Sequence, residues 1–223
     1  MKKACIFCIS LLLISCASKK PIRTIKKARE AYVKKNLKEI ERLIEATTVE
    51  NRDIKSVSVY YLAKYIDIIQ KKKLNTKFTE RDKEKHLLTV KDHLVKVFSI
   101  QQDFNTRSIC LYGLRKLRTD DLFELYIELL DDADDTINEI ALISLIDYTA
   151  DKTYRTDTTL NLLLNHLKNH RPPIVFYILD NIRFFKGNKK AIEGINNYLK
   201  ISSDKEAILY AKQVLKEVES VSD

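Results

Sequence analysis

The stretch Asn138-Glu139-Ile140-Ala141-Leu142-Ile143-Ser144-Leu145 decides the fold, because its apolar pattern recurs along the chain. Comparable runs begin at Arg107 (RSICLYGL), Pro173 (PIVFYIL) and Lys205 (KEAILYA), and one beginning at Lys55 (KSVSVYYL) fits the same frame. The later starts fall 31, 35 and 32 residues apart. Each run spaces its apolar residues by three and four, as one face of a helix requires. A near-constant spacing of this size marks a stack of helical repeats, in which each unit buries an apolar face that it could not bury alone.

Working outward, the same periodicity fills most of the chain. Ile25, Ala28, Tyr32, Leu37, Ile40, Leu43 and Ile44 mark a first helical stretch, ended by a break over 47–51. A second helix is expected over about 53–71 and a third to about Ser99, opened by a Thr79/Asp82 capping box. Helices then come in pairs: about 105–117 with 120–130, and about 135–150 with 156–168. Pro172 and Pro173 open another, at positions where a missing N–H costs nothing, and Gly187 ends it. Asn188 and Ser203 are read as caps of the last two helices. With 3 Gly and 3 Pro in 223 residues, the punctuation that strands and hairpins need is scarce.

From Asp53 to Val218 the chain resembles the HEAT/armadillo class of helical repeats. Asp131-Asp132-Ala133-Asp134-Asp135 followed by Ile140-Ala141 and Leu145 carries the likeness most clearly. The other units lack that acidic run, and the spacing before Arg107 is irregular. The tetratricopeptide class has a similar period, but its Trp-Leu-Gly-Tyr and Ala-Phe-Pro landmarks are missing. The resemblance implies an all-α, right-handed α-solenoid of antiparallel helix pairs, with the second helix of each pair on the concave side.

The N-terminus carries a different signal. Lys2 and Lys3 precede twelve uncharged residues, Ala4 to Ser15, which is the layout of a secretory signal and is too short to span a bilayer as a helix. Leu13-Ile14-Ser15-Cys16 resembles the lipobox of bacterial lipoproteins. The resemblance implies cleavage between Ser15 and Cys16 and a diacylglyceryl group on the Cys16 sulfur. The expected organisation is a signal peptide over 1–15, a lipidated basic tether over 16–23 and a repeat domain over 24–223. The expected location is the bacterial cell envelope, on a membrane at its periplasmic or outer face.

Charge supports this division. The formal net charge is +9, yet residues 16–38 hold nine basic side chains and one acid, whereas 39–223 hold 29 basic and 30 acidic. The repeat region is near neutral, which speaks against nucleic acid as a partner. The basic run suits either an anionic lipid surface or a solvated spacer. Cys5 and Cys8 fall in the signal and Cys16 at the lipid site, leaving Cys110 in the apolar run Ile109-Cys110-Leu111 as a buried small hydrophobe.

No enzyme signature emerges: there is no glycine-rich phosphate loop, nucleophile elbow or metal-ligand cluster, so neither cofactor nor small-molecule substrate is expected. His166 and His170 are four apart, but a helix C-terminus, where histidine suits the dipole, explains them better than a metal. His86 and His93, seven apart, point no more strongly to a metal. Asp131 to Asp135 lacks the alternation and glycine of a calcium loop, and capping by Asp134 and Asp135 accounts for it. Tyr60-Tyr61 and Phe184-Phe185 read as half core and half rim.

The most distinctive pattern lies on the second helices. Glu124 and Glu128, Asn161 and Asn165, and Glu193 and Asn197 form three i,i+4 polar pairs at equivalent places. They would line a mildly acidic track for a protein partner. The expected function is a membrane-anchored interaction scaffold; the alternative is a surface lipoprotein that binds host molecules.

Overall fold

The computed structural model describes residues 21–71, 73, 79–101, 103–168 and 172–220. Ser15, Cys16 and the rest of the lipobox, like His170, lie outside the described residues. Among the described residues there is no strand. The chain parts into two compact units, Met1–Leu117 and Arg118–Asp223.

The first unit contains α1 (Ile25–Lys34), α2 (Leu37–Ala46), α3 (Arg52–Gln70), α4 (Glu80–Ile100) and α5 (Phe104–Leu114). Helix α3 is its axis and packs against the other four. Its Val59, Leu62, Tyr65, Ile66 and Ile69 are fully buried, at the three- and four-residue spacing of one face. Each large aliphatic side chain so removed from water contributes roughly 1.5–3 kcal/mol. The Tyr65 hydroxyl donates to the Ala31 carbonyl at 3.1 Å, and burial pushes that phenol well above its ordinary value. Thr79 and Asp82 form the expected capping box.

The first helical stretch is two helices rather than one. Lys35 takes a left-handed conformation (φ 48°), and the Asn36 side chain accepts from the Lys38 and Glu39 amides to start α2. The hint was the five-residue step from Tyr32 to Leu37, which a continuous helix face does not allow. Glu39, buried at this corner, accepts from Lys34 at 3.2 Å and Arg42 at 2.5 Å.

The second unit contains α6 (Asp120–Glu128), continued by a 3-10 turn at Leu129–Asp131, then α7 (Asp135–Tyr148), α8 (Asp157–Leu167), α9 (Pro172–Ile182), α10 (Lys189–Ile201) and α11 (Lys205–Glu219). Helices α7, α9 and α11 stack in one row, α8 packs on α10 in a second, and α6 lies against α7. A side-chain ladder fixes the step of the first row. The Tyr177 hydroxyl on α9 donates to Asp147 on α7, and 33 residues further on the Tyr210 hydroxyl on α11 donates to Asp180 on α9. Thr149 adds a bond to Asn181 at 2.8 Å. The structural repeat here is therefore 33 residues, and the apolar alignment, with steps of 35 and 32, had slipped by one or two positions.

Two boundary expectations change. Asp204, not Ser203, caps α11, with its carboxylate accepting from the Ala207 amide at 2.8 Å. Gly187 does not end α9, which stops at Ile182; it sits in the following turn at φ 70°, where its amide donates to the Val218 carbonyl at 2.7 Å.

Candidate functional site

Helices α8 and α10 bring two of the expected polar pairs together. The Thr156 hydroxyl caps α8 by accepting from the Thr159 amide, and Asn188 caps α10 by accepting from the Lys190 and Ala191 amides. Leu160, Leu163 and Leu167 of α8, with Ala191, Ile195 and Tyr198 of α10, turn into the core. The remaining faces turn outward and form an open cavity of about 410 Å³, lined by Asn161, Leu164, Asn165 and Lys168 on one side and by Lys190, Glu193, Gly194 and Asn197 on the other.

Two contacts hold the helices at this distance. Lys190 pairs with Asp157 at 2.9 Å where both helices begin. At the middle Gly194 lets Leu164 press against the α10 backbone: a Cβ there would lie 2.3 Å from Leu164 Cδ2. Leu164 thus forms an apolar floor between two polar rims.

Apart from Lys190, the polar groups on the rims carry no partner among the described residues. Among the described residues Asn161, Asn165 and Asn197 have no hydrogen-bond partner, and Glu193 and Lys168 have no ion pair. A carboxamide offers two donors and an acceptor, the same groups a peptide backbone presents. Side chains four apart on a helix stand roughly 5–6 Å apart, close to the roughly 6.6 Å between alternate residues of an extended chain. The two asparagines of α8 can therefore meet every second residue of a strand laid along the groove. At Lys168 this cavity adjoins a second of about 260 Å³, lined among others by Leu167, Val175, Tyr198 and Ile201.

The third pair is not part of this lining. Glu124 and Glu128 are exposed on α6 and line neither cavity. The signal for Gly194 was present, since a glycine inside a helical pattern often marks a close approach. Nothing local announced Leu164, Lys168 or Lys190 as its neighbours.

The other singled-out residues have structural settings. The Asp134 carboxylate caps α7, accepting from the Thr136 and Ile137 amides at 2.9 and 3.3 Å. Cys110 is fully buried, and burial pushes its thiol up to about 12. His166 sits half-buried in the last turn of α8. His86 is half-buried on α4, and His93 shares a 2.7 Å hydrogen bond with Thr47. Phe185 and Tyr61 point inward or half inward, while Phe184 and Tyr60 are exposed. The Arg155 guanidinium lies over the Phe184 ring at 4.5 Å. Among the described residues no group of three His, Cys, Asp or Glu side chains is placed to hold a metal ion, and no helix is long and apolar enough to cross a membrane.

No family model matches the chain, and no curated protein matches it in sequence. Solved structures do. A designed armadillo repeat protein superposes with a TM-score of 0.55 over 90% of this chain and 96% of its own, at 13% identity. The fold is that of the armadillo-type helical repeats. An engineered protein matches with a TM-score of 0.56 at 14% identity, covering 91% of this chain and 93% of its own. A second designed armadillo repeat protein, solved in complex with the peptide (KR)4, matches with a TM-score of 0.55 at 11% identity, covering 87% of this chain and 91% of its own.

Proposed function

We propose that the chain is a lipid-anchored scaffold that holds an extended segment of a partner protein along α8 and α10. The observation that carries this reading is the set of unpartnered amides, Asn161, Asn165 and Asn197, on the two rims of one open groove. Their spacing suits the backbone of a strand, and the Leu164 floor offers an apolar seat for alternate side chains. A similar designed protein binds a peptide, which agrees with this use of the fold. Leu13-Ile14-Ser15-Cys16 supports the anchor, with acyl chains at Cys16 holding the repeats to the cell envelope.

Crosslinking in intact cells, followed by identification of the captured segment, tests the groove. The Asn161→Ala/Asn165→Ala/Asn197→Ala protein should lose the crosslink, at about 1 kcal/mol per hydrogen bond. An undiminished yield from a folded triple variant would remove the reading. Glu124→Lys/Glu128→Lys asks whether α6 extends the track, with weaker capture expected if it does. For the anchor, Cys16→Ala should abolish both the lipid mass shift and detergent partitioning. A wild-type protein that is soluble and retains its initiator methionine would refute it.

A further inference from the structure

Among the described residues, nothing covers the outward face of helix α1. Ala28 and Ala31 are fully buried against the rest of the first unit, and Tyr32 is half-buried beside them. The opposite side carries Ile25, Arg29 and Val33 in a line at i, i+4 and i+8, with Lys26 next to it. Ile25 and Val33 are 49% and 61% exposed, an unusual state for two large aliphatic side chains on one short helix.

Two further features frame this stripe. Beside it, Tyr32 stacks on Tyr61 of α3 with ring centroids 4.8 Å apart, and Tyr61 meets Tyr60 edge-on at 5.3 Å. Tyr60 is 44% exposed, with the Lys64 ammonium 5.4 Å from its ring centroid. Over residues 21–38 the charge is one-sided: Arg23, Lys26, Lys27, Arg29, Lys34, Lys35 and Lys38 against Glu30, with Lys34 paired to Glu39. Of these cations, Arg23, Lys26, Lys27, Arg29, Lys35 and Lys38 have no acidic partner among the described residues.

Aliphatic side chains to enter the acyl boundary, tyrosines to sit at headgroup depth and unpaired cations to meet phosphates are the three parts of an interfacial contact. We infer that the outward face of α1, with Tyr60 at its rim, rests on an anionic lipid surface. The position in the chain agrees, since Ile25 lies nine positions after Cys16. Even fully extended this stretch reaches roughly 30 Å, so acyl chains at Cys16 would keep the start of α1 within that distance of the bilayer. The inference extends the proposed anchor by giving the first unit a defined face toward the membrane.

The test leaves the anchor out. The full chain carrying Cys16→Ala is floated with vesicles of phosphatidylcholine, with or without phosphatidylserine. Binding to the anionic vesicles should exceed binding to the neutral ones and fall as salt rises from about 0.1 to about 1 M. Lys26→Glu/Arg29→Glu should weaken anionic binding by at least about thirtyfold, from the usual contribution of each cation at such a surface. Ile25→Ser/Val33→Ser should weaken it further without changing its salt dependence. Circular dichroism of these exposed-site variants should match the parent. Equal binding to both vesicles, or an undiminished response from the charge-reversed chain, overturns the inference. So does unchanged vesicle binding by Ile25→Ser/Val33→Ser together with equally tight binding to duplex DNA, which would mark a general polyanion site. None of these outcomes depends on whether Cys16 is acylated.

Discussion

Replacing Gly113 by alanine sets two effects of opposite sign against each other. Gly113 lies in the last turn of α5, where alanine would add up to about 1 kcal/mol of helix propensity. A methyl group there would stand 2.6 Å from Ala63 Cβ, 3.0 Å from Ala63 Cα on α3 and 3.2 Å from Leu94 Cδ1 on α4. The first two atoms belong to a methyl and the main chain of a helix, so no rotamer change relieves them. Helices α3 and α5 must separate by about 1 Å, and such a gap forfeits a quarter to a half of each dispersion contact it opens. Overpacking of this kind costs about 1–3 kcal/mol. With two of the three contacts unable to yield, the packing effect wins, and Gly113→Ala should destabilise the first unit by up to about 2 kcal/mol. Urea unfolding followed by hydrogen exchange at α3 amides measures this within the unit concerned. Ala63→Gly in the same chain should restore most of the loss by removing the opposing methyl, a coupling that two independent sites do not show. If Gly113→Ala instead raises stability by the full propensity gain, or if Ala63→Gly simply adds its own cost, the close approach of α3 and α5 is wrong.

Other outcomes follow from single contacts. Tyr177→Phe and Tyr210→Phe each remove a hydroxyl from a partly exposed Asp and should lower the urea stability of the second unit by about 1 kcal/mol, leaving helicity intact. Cys110 should resist thiol reagents in the native protein at neutral pH and react fully in denaturant, because its thiol is buried and held up to about 12. Burial, with a smaller effect from Lys96, holds the His93 imidazole below its ordinary value, so the unfolded chain takes up that proton first. The stability tied to it is complete above the ordinary range near about 6.5 and drains away as pH falls through the lower folded value. The urea midpoint of the first unit should therefore drop on acidification below about pH 6.5, and His93→Gln should flatten that drop. Gly194→Ala should leave stability close to unchanged, because the ends of Leu164 can swing aside, yet narrow the groove and weaken peptide capture.

What could be read in the sequence was local. Helix faces, the Thr79/Asp82 box and the caps at Asn188 and Asp134 depend on residues within one or two turns, and spacing alone reveals them. The polar pairs on α8 and α10 were legible for the same reason, since they interrupt an apolar pattern at i,i+4. Long-range matters were not. The apolar frame tolerates a slip of one or two residues because neighbouring leucines and isoleucines substitute for one another. The 33-residue step is set by Tyr–Asp bonds between helices that no local pattern predicts. The break at Lys35 was masked by apolar residues that continue on its far side. Cap choice at Ser203-Asp204 rested on which of two adjacent acceptors reaches the first-turn amides, a question of one dihedral angle. The position of Lys168 and Lys190 beside the asparagines follows from how α8 meets α10, which Gly194 and Leu164 decide together.

The ladder from Asp147 to Tyr210 has a consequence for how such a chain can change length. Each rung joins one helix to the next through the same pair of residue types, so a copy of 33 residues inserted in phase would find matching partners on both sides. Duplication inside the row adds a rung and a further stretch of groove. Duplication beyond α11 would build on a different surface, where Leu209, 73% exposed, stands among Lys205, Glu206, Lys212, Gln213 and Lys216. Growth by internal copying, one rung at a time, is the route this ladder favours.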